Sequence, residues 1–514
     1  SGTSAEGRGL MEVVGDQLKM VKGGARFAHE RIHALVAWGD EADHDGPLLV
    51  GTRERGWLVL DNGRLAAWPN ETNKILRDDQ LYDAQWLANG TLAVGTLQGG
   101  VLLVDRMGHL LERLRRNEGL INDTVLSMFQ DREHGLWLAL DNGLSRLDVA
   151  SPLTLFSRNS GLDGTVLAMQ RFRGELYVGT TKGLFLLHSG VDGNAEFAAL
   201  DGVRAQVWSF LDMGDSLLAA TSQGVVEVRN GVAKPCAAQV CTSGDVAFSL
   251  LRSVRDPSRV FVGLRNGLAV MRRDGGKWID EGRIPGISGD IRSLAHDDHD
   301  NLWLGTLSNG AIRVALPDEW QPGDGVPPRT QSFQQHRDSV ASPNYAFVMS
   351  LAAGLRVVTA QGIYLYDEKR ARLQPDTAFA SLFPQGARRL SRLSESVPGH
   401  LWMYTADGTK TIRETGVAVA DAKGHYHWEP QPLRALSGVE MYTLYAEPDG
   451  ITWFGSSDGL YRLDSSITPP PDKPLPTLLR KISDGNGHVL WGGASTTPPT
   501  LKLPWGNNSL RFDY

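Results

Sequence analysis

Cysteine is almost missing from these 514 residues: Cys236 and Cys241 are the only two. That excludes a disulfide-stapled scaffold and a four-cysteine metal site. No run approaches the roughly 18 to 20 apolar residues that a membrane-spanning helix needs. A basic excess is lacking too, since 52 Lys and Arg stand against 59 Asp and Glu for a net charge of −7. Phosphate-tracking surfaces carry the opposite balance, so nucleic acid is not an expected partner. Linear signatures of catalysis are also missing: there is no nucleophile elbow, no phosphate-binding glycine loop followed by Lys, and no His-Glu-x-x-His. The 13 His are scattered; His425 and His427 would share a strand face, but no third ligand accompanies them. No metal and no cofactor is therefore expected. No secretory leader is visible, and the chain opens on Ser1 rather than Met, as a processed or cut terminus would.

Glycine, by contrast, is plentiful at 58 residues, and much of it is periodic. A short apolar strand runs into Gly-Thr or a close relative, then a turn ending in Gly, then a second apolar strand. Clear copies are Gly135-Leu-Trp-Leu-Ala-Leu-Asp-Asn-Gly143, Asn301-Leu-Trp-Leu-Gly-Thr-Leu-Ser-Asn-Gly310 and Gly450-Ile-Thr-Trp-Phe-Gly-Ser-Ser-Asp-Gly459. Marked at the residue before Thr, the unit recurs at Gly51, Gly95, Ala139, Gly179, Ala220, Gly263, Gly305, Val358, Tyr404 and Gly455, with a truncated copy at Gly2. From Gly51 onward the spacings are 40 to 53 residues, the size of one propeller blade. The fold class is therefore all-β, a β-propeller of four-stranded blades.

The copy around Trp137 shows how a blade reads. Residues 122–129 are a first strand, and Leu136–Leu140 a second, whose continuous apolar run marks burial on both faces. Asp141-Asn-Gly143 supplies a tight turn. Residues 144–148 make a third strand, and a segment containing Phe156 is expected as the outer fourth. Trp137, Trp303, Trp402 and Trp453 share one position in the second strand, which Leu49, Tyr177, Leu218 and Phe261 fill elsewhere; Ala93 and Arg356 are the exceptions. A residue that repeats with the blade packs between blades. The acidic turns at Asp131 and Asp297–Asp300 lack the regular oxygen series of a calcium loop. Cys236 and Cys241 lie in one connection between strands, flanked by Pro235 and Gly244. A local disulfide, placing the chain in an oxidising compartment, is the expected reading; two free thiols in a cytosolic protein is the other.

The pattern Val-x-Ser…Asp…Gly-x-Leu-Trp-x-Gly-Thr-x-x-Gly-Leu resembles the two-component regulator propeller repeat. That repeat builds the periplasmic sensor region of certain bacterial receptors, including hybrid histidine kinases and sensor diguanylate cyclases. The resemblance covers residues 2 to 465, although Val358 and Tyr404 stand where the first Gly is lost. Such chains commonly carry fourteen repeats as two tandem seven-bladed propellers. Residues 466–476 are a proline-rich joint, and 477–483 with 501–514 are similar to the opening strands of the immunoglobulin-like triple-tyrosine domain. The expected domains are thus 1–157, an incomplete first propeller; 158–465, a seven-bladed second propeller; and 466–514, the joint and the start of an immunoglobulin-like β-sandwich. A single eleven-bladed ring is disfavoured, because propellers typically have about four to eight blades.

Propellers bind ligands where the innermost strands begin. There the repeat is broken by Asp163, Arg204, Gln206, Asp245, Asp290, Tyr345, Arg388, Arg389, Glu440 and Tyr442, a mixture suited to a polar ligand. Arg388 and Arg389 stand out as a grip for an anion. The alternative is that these loop positions are simply solvated. The resemblance implies the ligand-sensing region of an inner-membrane receptor, located in the periplasm and not itself an enzyme. It would bind an extracellular small molecule, glycan or peptide, act as a homodimer in the full receptor, and meet the membrane only through a transmembrane helix outside this chain. A secreted propeller lyase or glycosidase, and a protein-binding scaffold, stay open as other classes.

Overall fold

The computed structural model describes residues 9–38, 46–68, 72–149, 151–189, 195–236, 245–317, 320, 327–333, 345–359, 362–382, 389–406, 413–429, 436–467, 479–492, 500, 503, 505 and 509–513, the side chains of 389–392 excepted. Two compact units divide the chain, residues 1–469 and 470–514.

Antiparallel sheets of four strands, joined in sequence order, dominate the larger unit. The blade around Gly305 shows why this sequence folds so. Ile291–His296 is its inner strand, followed outward by Leu302–Thr306, Ala311–Ala315 and Arg329–Phe333. Leu302–Thr306 is buried at every residue, as its unbroken apolar run requires. Thr306 then staples the turn: its buried Oγ1 donates to the Gly310 carbonyl at 2.7 Å and accepts the Asn309 N–H at 2.8 Å. Thr96, Thr180, Thr221 and Ser456 repeat this double bond in their own blades. The glycine before Thr has a different task. A Cβ on Gly305 would lie 2.7 Å from the Ala346 carbonyl oxygen of the next blade, and one on Gly179 would lie 2.6 Å from Val207 Cγ1. Blades therefore touch at this glycine, where no side chain fits.

Seven blades form a closed ring. Their inner strands are Val166–Phe172, Val207–Asp212, Ala247–Arg252, Ile291–His296, Ala346–Leu351, Arg389–Val397 and Met441–Ala446, and the last packs back on the first. A Cβ on Gly455 would meet Val166 Cγ1 at 2.6 Å, the same blade-to-blade contact made across the closure. The seventh blade takes its outer strand from the other end of the ring: Leu153–Phe156 pairs antiparallel with Leu460–Asp464. This corrects the reading of Phe156 as the fourth strand of the blade around Trp137, which has three strands among the described residues. Phe156 is buried against Phe197 and Trp453, with ring centroids 5.5 and 6.0 Å away. Pairing there covers the edge of Leu460–Asp464 and completes the seventh blade to four strands.

Ahead of the ring come the hairpin Met11–Val14 with Gln17–Met20, two four-stranded sheets, and the three-stranded sheet of Val125–Gln130, Leu136–Leu140 and Gly143–Leu147. The packing of blade on blade is repeated, with Gly51 against Leu81 and Gly95 against Val125. On the far face of the three-stranded sheet Phe129, Trp137 and Leu144 are exposed. In the smaller unit Lys481–Asp484 pairs with Val489–Gly492 on one side and Leu510–Asp513 on the other. No helix among the described residues is long and apolar enough to cross a membrane.

The acidic turns have a structural role. Asp297 Oδ1 accepts the N–H groups of His299 and Asn301, while Oδ2 accepts Trp303 Nε1 at 2.9 Å and Arg313 Nε at 3.3 Å. Asp131 does the same for Glu133, Gly135, Trp137 and Arg146. Burial alone would raise both carboxyls, but these donors outweigh it, holding Asp297 below its ordinary value and Asp131 at about 2. A pKa depressed by folding contributes stability that is present above the unfolded value, roughly 4, and is lost as pH falls through the folded value. The melting temperature is therefore expected to drop as pH is lowered from about 4 toward about 2. In Asp297→Asn the drop should be shallower, which thermal melts across that range would read.

Candidate functional site: the channel of the seven-bladed ring

Five of the seven inner strands carry one residue that the ladder skips. Register shifts fall between Val166 and Ala168, Val207 and Ser209, Ala247 and Ser249, Ile291 and Ser293, and Met441 and Thr443. The skipped residues are Leu167, Trp208, Phe248, Arg292 and Tyr442, and all five line a single cavity on the ring axis. A bulge frees a side chain from the alternation of the strand and re-aims it, here inward. Ala346–Leu351 has no bulge and contributes Phe347 beside Tyr345. With Leu393 from the sixth blade, all seven blades reach this cavity of about 380 Å³. That lies near the lower end of the range for small-molecule sites.

Aromatic rings and one guanidinium set its chemistry. Arg292 Cζ sits 3.5 Å from the centroid of the Phe248 ring and 5.4 Å from that of Trp208. Such stacking contributes about 0.5 to 2 kcal/mol, more where water is excluded. Asp290 Oδ2 accepts from Arg292 Nη2 at 3.0 Å. Arg292 Nε, Trp208 Nε1 and Ser209 Oγ are buried and have no hydrogen-bond partner among the described residues. Such a group costs about 1–3 kcal/mol if left without a partner, so these three are where the cavity would receive a polar partner.

Of the sequence-derived candidates, two line this cavity and a third borders it. Tyr345 and Tyr442 line it, and Asp290 borders it through Arg292. Asp163 is paired at 2.8 Å with Arg158, which holds its carboxyl below the ordinary value. Asp245 is paired with Arg283, and Glu440 lies 3.6 Å from Arg413. Arg204 and Gln206 are exposed. The backbone of Arg389 pairs with Ala406, while its side chain and all of Arg388 lie outside the described residues. Cys236 is buried beside Met213, Leu218 and Trp278; Cys241, and with it the expected disulfide, lies outside them as well. His425 and His427 flank the exposed turn at Asp421, with His427 Nε2 3.4 Å from its Oδ2.

Sequence reasoning missed Trp208, Phe248 and Arg292 because it stopped at the strand entrances. The signal was nonetheless present, as the variable residue inside Val207-Trp-Ser, Ala247-Phe-Ser and Ile291-Arg-Ser. The serines that follow hold blades together: Ser249 Oγ donates to the Ile291 carbonyl, and Ser293 Oγ accepts the Val348 N–H. The residue between the two fixed positions is what differs from blade to blade. The same bulge in the sheets before the ring places His33 and Tyr82 in ring contact at 5.2 Å.

No family model matches the chain, and no curated protein sequence matches it. Solved structures do. The extracellular domain assigned to a hybrid two-component system of B. thetaiotaomicron, BT3049, superposes with a TM-score of 0.61 at 15% identity, covering 91% of this chain and 61% of that one. A second such domain from the same organism, BT4673, gives 0.48 at 16% identity over 92% of this chain and 62% of that one. The virginiamycin B lyase of Staphylococcus aureus gives 0.44 at 10% identity over 60% of this chain and 98% of that one. This chain thus spans about three fifths of the length of the two extracellular domains. What it shares with the first of them is the β-propeller fold.

Proposed function

We propose that this chain is the periplasmic ligand-sensing region of a bacterial transmembrane signalling receptor, and that the ring channel receives the ligand. The observation that carries the reading is the cavity itself. Seven blades converge on an aromatic cup with one guanidinium, and its described lining contains no carboxylate, imidazole or thiol to act as base or nucleophile. Broad ring faces around a single guanidinium suit recognition. The repeat pattern, similar to two-component regulator propellers, and the fold shared with an extracellular two-component domain support the same reading. On it, the ring is followed by an immunoglobulin-like triple-tyrosine module that relays ligand binding to a kinase or cyclase output. The relay would be a shift between two arrangements of a homodimer, which requires the ligand to bind one arrangement more tightly.

Thermal-shift screening against glycans, peptides and small organic acids tests this, with product analysis on every hit. The expected result is stabilisation that grows with ligand concentration and leaves the ligand intact. Turnover of a hit would replace the sensing reading with the lyase or glycosidase alternative. A stable protein complex with no small-molecule response would favour the scaffold.

A further inference from the structure

We propose that the channel takes a small organic acid made of one ring and one carboxylate, a conclusion that rests on the sensing reading above. The cavity supplies two main kinds of contact, beside the hydroxyls of Ser209 and Thr443. Trp208, Phe248, Tyr345, Phe347 and Tyr442 give flat apolar faces, which suit one ring in a volume of about 380 Å³. Arg292 gives the charge. Its guanidinium is fixed by the Phe248 face, 3.5 Å away, and it spends only Nη2 on Asp290. Its Nε and the indole Nε1 of Trp208 are donors short of an acceptor among the described residues.

Donors without acceptors call for a group that only accepts. A carboxylate does so with two oxygens, and it meets a guanidinium along two parallel N–H directions. A ligand cation would instead face Arg292, and a neutral amide would bring donors of its own. Asp290 is the competing carboxylate in this geometry. It anchors one end of the guanidinium and repels an incoming anion, so its removal should tighten binding, the opposite of what loss of a structural ion pair would do.

Benzoate and glucuronate are the probes, one an aromatic acid and the other a sugar acid, with benzamide and glucose as their neutral counterparts. Calorimetry on the whole chain, paired with tryptophan fluorescence, reads the affinities. At least one acid is expected to bind while its neutral counterpart binds at least tenfold more weakly, as loss of a charged hydrogen-bond partner implies. Arg292→Gln should weaken the acid by about tenfold or more, Trp208→Phe by several-fold with loss of the fluorescence change, and Asp290→Asn should strengthen it. If Arg292→Gln proves unfolded by circular dichroism, Asp290→Asn still decides through the sign of its effect. The proposal falls if neither acid binds, if the neutral counterparts bind as well as the acids, or if Asp290→Asn weakens binding. A neutral glycan that stabilises the parent and Arg292→Gln alike would overturn this proposal and leave the sensing reading in place.

Discussion

Trp303→Ala is expected to destabilise the ring by about 3–5 kcal/mol, whereas Trp137→Ala should cost about 1 kcal/mol or less. The two residues occupy the same place in the repeat, make the same indole bond to an aspartate, and sit beside the same kind of arginine. Only their surroundings differ. Trp303 is 0% exposed, stacked on Phe333 at 5.3 Å and edge-on to Tyr366 at 5.2 Å, with the next blade packed over it. Trp137 is 40% exposed on the outer face of a three-stranded sheet. Urea unfolding of the two variants separates packing from local hydrogen bonding. Equal losses would mean that the turn, and not the interface between blades, is what the tryptophan serves.

Arg356→Ala should cost about 3–5 kcal/mol by a different route. Arg356 stands where most blades place a large apolar side chain, and its side chain is 9% exposed. Its Nε donates to Asp376 Oδ2 at 2.7 Å, and Nη1 reaches the carbonyls of Ala353 and Leu355. Asp376 is 4% exposed and also accepts the Ala378 N–H at the start of a short helix. Truncating the arginine leaves a buried carboxylate with its main countercharge gone. Arg356→Leu combined with Asp376→Asn should recover much of the loss, since it removes the unpaired buried charge, refills most of the volume and keeps an acceptor for the Ala378 N–H. A double variant as unstable as Arg356→Ala would assign the cost to the arginine's own hydrogen bonds, those to the Ala353 and Leu355 carbonyls among them, and not to a stranded charge.

Much of this was legible in the residues, for a physical reason. Gly-Thr followed by Gly reads directly as a turn stapled by the Thr306 hydroxyl and a glycine with no room for a Cβ, because local bonds and close approach fix both. Seven such units ending at Gly455 match the ring. What could not be read were pairings set by distance in space. Phe156 carries no mark that its partner is Leu460 and not a neighbour in sequence, and Trp137 none that its covering blade is not among the described residues. The channel residues were half legible. Their place in Val-x-Ser was visible, but the bulge that turns them inward is a property of backbone pairing and not of the side chain at that position.

Ring closure by residues 153–156 underlies both the fold and the channel, and a cross-link tests it most directly. Asp464 N–H donates to the Pro152 carbonyl at 2.9 Å, so Leu155 and Tyr461 form a non-hydrogen-bonded pair in the same ladder. Cα atoms in such pairs lie about 4.5 Å apart, within the roughly 4.4–6.8 Å that a disulfide spans. Leu155→Cys with Tyr461→Cys is expected to give that cross-linked peptide by mass spectrometry under oxidising conditions. Absence of it, together with a cross-link between Leu155→Cys and Arg146→Cys, would return this strand to the blade around Trp137 and contradict the closed ring.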